Sequence, residues 1–503
     1  MSEEARMNAT TGVELVERAR AIARLIAREA DEIERTRRLT TAVVSALIEN
    51  GLYRALLPQS LGGEEAPIES FMQMLEEIAK ADASTAWCLG QCTVCAMIAA
   101  SLDHDTAQEI FNTPPGILAW GAIAHEARSV DGGYRVTARW DFASGSRQAS
   151  WLGAHVRIVN GDGTPRTNAD GSPEVRTILF PAARAVLHDV WQAIGLAGTG
   201  TDSYEVNDLF IPERFTAFRD VPSALRETGP LYRIGTGSTF SLGFAAVSLG
   251  LARATLDAAI ALARGKHQSL AASAMRDNGA VQGLIGRTEG DLRAARAYLY
   301  ATAHAMWRDL CATGEFSAAH RSAVRLAATW TIHQSAKVVD TAYHMAGATA
   351  VFRSNPFERR FRDMHAIAQQ IQARDTHYED VGKTILAGRG SLPRCRCAPS
   401  PACGGGSGRG CLRNGTIPQR KEPSPASPAR PLPRAGEVNG ESSASLTSRR
   451  TDNHTPSARR HAGLRAPGNR PRQPMTMRRA IIRRRATAAA ESPMRSLPLQ
   501  MSW

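Results

Sequence analysis

The chain has 503 residues, 43% of them hydrophobic, and a formal net charge of +13. That length fits about three ordinary domains, and the composition supports a sizeable buried core. The charge excludes less than it suggests. Residues 387–503 hold 22 Lys or Arg against 5 Asp or Glu, which leaves 39 against 43 in the rest of the chain. The bulk of the protein is therefore mildly acidic, and its high pI does not describe a nucleic-acid-binding body.

The first ten residues are acidic and polar and lack an apolar segment, so a secretory signal is not expected. No uninterrupted apolar run of about 18 residues stands out, and no membrane span is expected. Val13, Leu15, Val16, Ala19, Ile22, Leu25 and Ile26 recur at three- and four-residue steps, which predicts a helix. A second helix starts at Thr40-Thr41-Ala42 and is closed by Gly51, and Leu57-Pro58 with Gly62-Gly63 forms a loop. Ile68 to Lys80 reads as a third helix. Ser84 to Ala100 reads as an apolar fourth, with Ser84 or Thr85 as its N-cap. Cys88, Cys92 and Cys95 share one face of that helix at steps of four and three. Core packing fits them better than metal ligation, and a reducing cytoplasm suits such thiols.

The pattern changes near Pro114-Pro115-Gly116. Asp131-Gly132-Gly133 signals a hairpin, and Tyr134 to Trp140 alternates at the strand period. His155 to Val159, Val175 to Phe180 and Ser203 to Phe210 are further strands, read together as a small antiparallel barrel or sandwich. Four long helices follow, over 242–266, 281–313, 318–346 and 356–386, with short connections that predict an antiparallel four-helix bundle. The expected domains are 1–114, 115–225 and 226–388, with a tail at 389–503. The fold class is α+β: an N-terminal helical domain, a middle antiparallel β-barrel, a C-terminal four-helix bundle and a disordered tail.

The tail has no Phe or Tyr and holds 15 of the 26 prolines, so it cannot bury enough surface to offset chain entropy. Its Arg- and Pro-rich wording resembles translated GC-rich non-coding DNA and points to a frameshift or read-through extension. Cys395, Cys397, Cys403 and Cys411 lack zinc-ligand spacing.

Three groups of motifs then occur in order: Gly51-Leu52-Tyr53-Arg54-Ala55-Leu56-Leu57-Pro58 with Leu61-Gly62-Gly63 and Glu76 to Trp87; Ala138 to Gly145 with Gly195 to Ser203 and Phe210-Ile211-Pro212; and Ala346-Gly347-Ala348-Thr349 with Pro356-Phe357-Glu358-Arg359 and Arg362-Asp363-Met364-His365. Over about residues 15–386 the chain resembles the acyl-CoA dehydrogenase superfamily, and its flavin-dependent monooxygenase branch in particular. The resemblance implies an acyl-CoA dehydrogenase-like fold of helical domain, β-barrel and four-helix bundle, usually as a homotetramer. The flavin ring would lie between the barrel and the bundle.

On that resemblance, Trp140, Ser144 and Gly145 line the flavin ring. Thr199 and Thr201 contact flavin or substrate, and Arg353 and Asn355 contact flavin or a neighbouring subunit. Trp87 has a substrate-pocket role, although capping and packing explain its segment equally well. Gly195 to Gly200 superficially fits a dinucleotide loop, but a strand follows it where that fingerprint needs a helix.

The dehydrogenases of the superfamily often place a Glu about two turns after Arg362-Asp363. Here Met364 to Arg374 contains no carboxylate, and an amide cannot remove a carbon-bound proton. The monooxygenase branch commonly has Gln-His where this chain has Gln369-Gln370. A glutamine can donate a hydrogen bond but cannot deprotonate a phenol. The catalytic role is therefore expected of His365, Gln369 and Gln370, with His365 and Gln369 one helical turn apart on a shared face.

The favoured expectation is a two-component monooxygenase. A separate reductase supplies reduced FMN or FAD, and a small aromatic substrate is hydroxylated. The alternatives are FAD-dependent desaturation of an acyl-CoA thioester and a non-catalytic paralogue. Specific nucleic-acid binding by the tail is not expected.

Overall fold

The computed structural model describes residues 3–122, 124–266 and 274–387. The tail predicted from 389, with its four cysteines, lies outside the described residues. The chain begins with five helices: α1 (Glu3–Thr36), α2 (Thr41–Glu49), α3 (Ile68–Ala81), α4 (Ala83–Ala96) and α5 (His104–Phe111). Thr40 caps α2 by accepting from the Val43 N–H. α3 is strongly amphipathic and buries Phe71, Met72, Leu75 and Ile78 against α1 and α7.

Eight strands follow: β1 (Leu118–Trp120), β2 (His125–Val130), β3 (Gly133–Ala143), β4 (Trp151–Val159), β5 (Val175–Pro181), β6 (Val186–His188), β7 (Asp202–Pro212) and β8 (Thr216–Ala217). They form one sheet in the order β6-β7-β3-β2-β4-β5-β8, with β1 beside β4. The hairpin expected at Asp131-Gly132-Gly133 joins β2 to β3. The expectation of an antiparallel barrel needs correction, because β1 and β2 both run parallel to β4. Side-chain alternation reports which face of a strand is buried and carries no information about the direction of its partner. β1, β6 and β8 are also too short to leave a periodic signature.

The C-terminal part holds α6 (Pro230–Arg233), α7 (Thr236–Gly265), α8 (Gly279–Thr313), α9 (Ala318–Ala346), α10 (Phe357–Ile367) and α11 (Thr376–Leu386). The predicted fourth bundle helix is thus two helices. Between them Gln370 is extended (φ −82°, ψ 168°), and its side chain accepts from the Gln372 N–H at the start of a single 3₁₀ turn, Ile371–Ala373. Two segments, Ala83–Ser101 and Thr236–Gly265, have the length and mean hydropathy of a membrane span, although neither is an uninterrupted apolar run. In the fold both are mostly buried, with α4 and α7 packed on each other at the centre of the molecule.

Glu76 joins the first helical layer to the last. It is almost fully buried on α3 and accepts from Arg296 Nε at 2.8 Å and the Tyr300 hydroxyl at 2.7 Å, both on α8.

Candidate functional site

Three segments meet around the first turns of α4. The helix is capped by Asp82 rather than by Ser84 or Thr85, as the sequence suggested. The Asp82 carboxylate accepts from the Thr85 N–H and hydroxyl, both at 2.7 Å. A cap must precede the helix with extended backbone, and Asp82 at φ −155° does so. That start turns Trp87 toward α7, where its indole lies 3.7 Å from the Phe244 ring and nearly parallel to it. Phe244 stacks in turn on Phe240. The result is an apolar aromatic wall.

The second segment is the end of β3. A register irregularity between Trp140 and Ala143 re-aims the strand, Phe142 takes φ +59°, and the chain turns through Ser144 and Gly145. Gly145 is needed because the turn lies against α4: a Cβ there would come within 2.5 Å of Cys92 Sγ. The glycine permits close approach of the turn to the helix. Trp140 also departs from its expected place. Its side chain is fully enclosed, packs against Tyr204, Phe180 and His125, and donates to the His155 carbonyl. It is a core residue of the sheet with no face left for a ligand.

The third segment is the loop 195–201. It makes one 3₁₀ turn, Ala197–Thr199, and then enters β7, so the rejection of a dinucleotide loop holds. Gly195 sits so close to α10 that a Cβ would lie 2.0 Å from the Arg362 carbonyl oxygen. The next peptide N–H, of Leu196, donates to the Asp363 carboxylate at 2.6 Å.

Side chains from all three segments join in one buried hydrogen-bonded chain. Trp87 Nε1 lies 3.1 Å from Ser144 Oγ, Ser144 Oγ 2.7 Å from Thr201 Oγ1, Thr201 Oγ1 2.7 Å from Thr199 Oγ1, and Thr199 Oγ1 2.8 Å from the Leu196 carbonyl oxygen. Trp87, Ser144 and Thr199 are therefore brought together from positions far apart in sequence.

The residues expected to be catalytic are arranged differently. His365 faces α9, where Nε2 is 3.0 Å from Asp340 Oδ1 and the ring packs on Phe361. It does not join the Trp87–Ser144 group. Gln369 is exposed and lies past the Ala368 cap of α10, so it does not share a helix face with His365; the extended backbone at Gln370 ends the helical repeat. Gln370 is half-buried in a turn that packs against α7 and α9. Arg353 is exposed, and Asn355 donates to the Thr349 carbonyl in the connection between α9 and α10, outside this cluster.

Orphaned polar atoms lie on two sides. Ser146 Oγ is buried without a partner in the turn after β3. Gln370 Nε2 and Gln372 Oε1 are likewise buried without a partner in the turn after α10. Buried polar groups are nearly always hydrogen-bonded. Unmet polar atoms of this kind fit a ligand with a polar edge, as an isoalloxazine ring is.

The charged residues behind the site are buried too. Burial, reinforced by the Asp82 charge, pushes the Asp363 carboxyl up to about 7, against the pull of the Leu196 N–H and Arg359. Asp82 is raised chiefly by burial. Burial pushes the Cys88 thiol up to about 12, so this cysteine is a packing group and not a nucleophile. Sequence reasoning missed Asp82, Phe240 and Phe244. The only signal for Asp82 was its place just ahead of an apolar helix, and the two phenylalanines looked like ordinary core spacing.

The comparisons agree with this architecture. Residues 12–109 match the model of the acyl-CoA dehydrogenase N-terminal domain, and residues 242–374 that of the acyl-CoA dehydrogenase C-terminal domain. Over these two segments the chain is similar to the acyl-CoA dehydrogenase N- and C-terminal domains. It is 29% identical to the indole-3-acetate monooxygenase of Pseudomonas putida over 364 residues, covering 72% of this chain and 90% of that protein. It is 26% identical to the oxygenase component of an FADH2-dependent resorcinol hydroxylase from a Rhizobium species, covering 74% and 93%. Among solved structures, XiaF from a Streptomyces species, in complex with FADH2 and glycerol, superposes with a TM-score of 0.70 at 23% identity, covering 77% of this chain and 98% of that one.

Proposed function

We propose that this protein is the oxygenase component of a two-component flavin monooxygenase that hydroxylates a small aromatic compound. The observation that carries the reading is the cluster at the start of α4: a stacked aromatic wall beside a hydroxyl chain that ends on Ser144, with no carboxylate in the turn after α10. The names of the relatives support it, since they are monooxygenases and hydroxylases of aromatic compounds.

Reduced flavin, when bound, supplies the electrons that activate oxygen. This chain's residues do the rest. Ser144, beside Trp87 and Thr201, would hydrogen-bond the polar edge of the ring. Trp87, Phe244 and Phe240 exclude water and provide a flat apolar surface for the substrate. A separate reductase supplies FADH2 or FMNH2. Assembly into a homotetramer is supported by the exposed apolar residues Phe142, Val186, Leu187, Val190 and Ile194 on β3 and in the β6–β7 region. The buried unpaired thiols of α4 suit a cytoplasmic location.

The test supplies the protein with NADH, a flavin reductase, FAD or FMN and a panel of phenols and indoles under isotopically labelled oxygen. Incorporation of one oxygen atom into an aromatic product is expected. Bleaching of bound FAD by an acyl-CoA without oxygen would replace the reading with a dehydrogenase. Failure to take up flavin in either oxidation state would replace it with a non-catalytic paralogue.

A further inference from the structure

The turn after α10 is held by its backbone, while its side-chain amides are left open. Inside the turn, the Ala373 N–H donates to the Gln370 carbonyl and the Arg374 N–H to the Ile371 carbonyl. The next two carbonyls are met from α9. Thr329 Oγ1 donates to the Gln372 carbonyl at 2.7 Å, and His333 Nε2 lies 2.8 Å from the Ala373 carbonyl oxygen. Thr329 and His333 are one helical turn apart on α9 and so share a face.

α11 holds both of these side chains in turn. A carbonyl only accepts, so His333 Nε2 carries the ring hydrogen. In the neutral ring Nδ1 is then left to accept from the Tyr378 hydroxyl at 3.0 Å. The Thr329 hydrogen is committed to Gln372, so the imidazole is the donor in the 2.9 Å contact between His377 Nδ1 and Thr329 Oγ1. The same imidazole also bonds the Gln372 carbonyl. Four side chains thus fix two successive carbonyls of one turn.

The amide ends of Gln370 and Gln372 are treated in the opposite way. Gln370 has its oxygen on the Gln372 N–H and keeps Nε2, a donor, buried and unmet. Gln372 keeps Oε1, an acceptor, also buried and unmet. Leaving buried polar atoms without partners is costly, and a molecule that meets them offsets that cost when it binds. A turn that is already fixed loses little further entropy in the process.

We propose that Thr329 and His333 are positioning residues. By holding the turn through the Gln372 and Ala373 carbonyls, they keep the Gln370 donor and the Gln372 acceptor in place for the aromatic substrate. α11 acts through them, by way of His377 and Tyr378. The proposal rests on the monooxygenase reading given above and adds to it the residues that order this turn.

The experiment has two parts, both on the full chain. Hydrogen–deuterium exchange of the ligand-free protein is followed in peptides covering residues 368–378. Turnover is then measured with NADH, a flavin reductase, FAD or FMN and a panel of phenols and indoles, as aromatic product formed per NADH consumed. His333→Phe removes the donor to Ala373, and exchange of the turn should rise about tenfold, the size of one hydrogen bond. Thr329→Val leaves His377 on the Gln372 carbonyl and should raise exchange about threefold. Tyr378→Phe keeps the ring and removes only the hydroxyl on His333; about threefold is expected again, and this variant stays readable should a core variant fail to fold. Product per NADH should fall in the same order, and Thr329→Ser should restore both wild-type values. A merely structural role would loosen the whole bundle and leave product per NADH unchanged. Unchanged exchange of the turn in all three variants overturns the proposal. Faster exchange with wild-type product per NADH also overturns it and leaves the monooxygenase reading standing. Wild type that forms no aromatic product overturns both.

Discussion

Replacing Asp363 by Asn should make the protein respond differently to pH, with a sign that the structure fixes. The Asp363 carboxyl is buried and raised from 3.8 to about 7. A raised carboxyl means that the native state holds its proton at pH values where the unfolded chain has released it. Stability is therefore unaffected below the unfolded value, falls as pH rises from about 4 to about 7, and is level above that. Each unit between the two values is worth about 1.4 kcal/mol, so the wild type should lose about 3 kcal/mol more than the variant between about pH 5 and about pH 8. Asparagine can still accept from the Leu196 N–H but has no proton to lose, so this component of the slope disappears. The assay is urea unfolding of both proteins, followed by far-UV circular dichroism at the two pH values. A stability difference that stays constant across that range would refute the argument. It would mean that Asp363 is ionised throughout and that Arg359 outweighs the burial.

Gly195→Ala tests the contact between the loop and α10 without any backbone-angle strain; its Cβ, 2.0 Å from the Arg362 oxygen, should cost about 3 kcal/mol, and a wild-type unfolding midpoint would count against the geometry. Trp87→Phe keeps an aromatic ring on Phe244 but removes the N–H given to Ser144; a loss of about 1 kcal/mol of positioning should appear as a rise in hydrogen peroxide formed per NADH consumed. Glu76→Gln removes the charge from a buried acceptor shared by Arg296 and Tyr300. About 2 kcal/mol of stability should be lost with no change in flavin affinity, and a changed affinity would mean that the α3–α8 link reaches the site.

Much of this protein was written in the order of its residues. The helical periods of residues 13–100, the hairpin at Asp131-Gly132-Gly133 and the long helices after residue 240 all report local geometry, and local geometry is what periodicity encodes. The three motif groups contain Trp87, Ser144 and Thr199, which the fold joins in one hydrogen-bonded chain.

The tertiary structure decided what depends on partners. It set the parallel pairing of β1 and β2 with β4, the break at Gln370 that separates His365 from Gln369, and the enclosure of Trp140 in the sheet. It also closed the hydroxyl chain. Ser144 and Thr201 are 57 residues apart, and neither spacing nor composition states that they touch. The partners of a buried hydroxyl are set by the fold, and for Ser144 those partners come from α4 and from a loop that α10 holds in place.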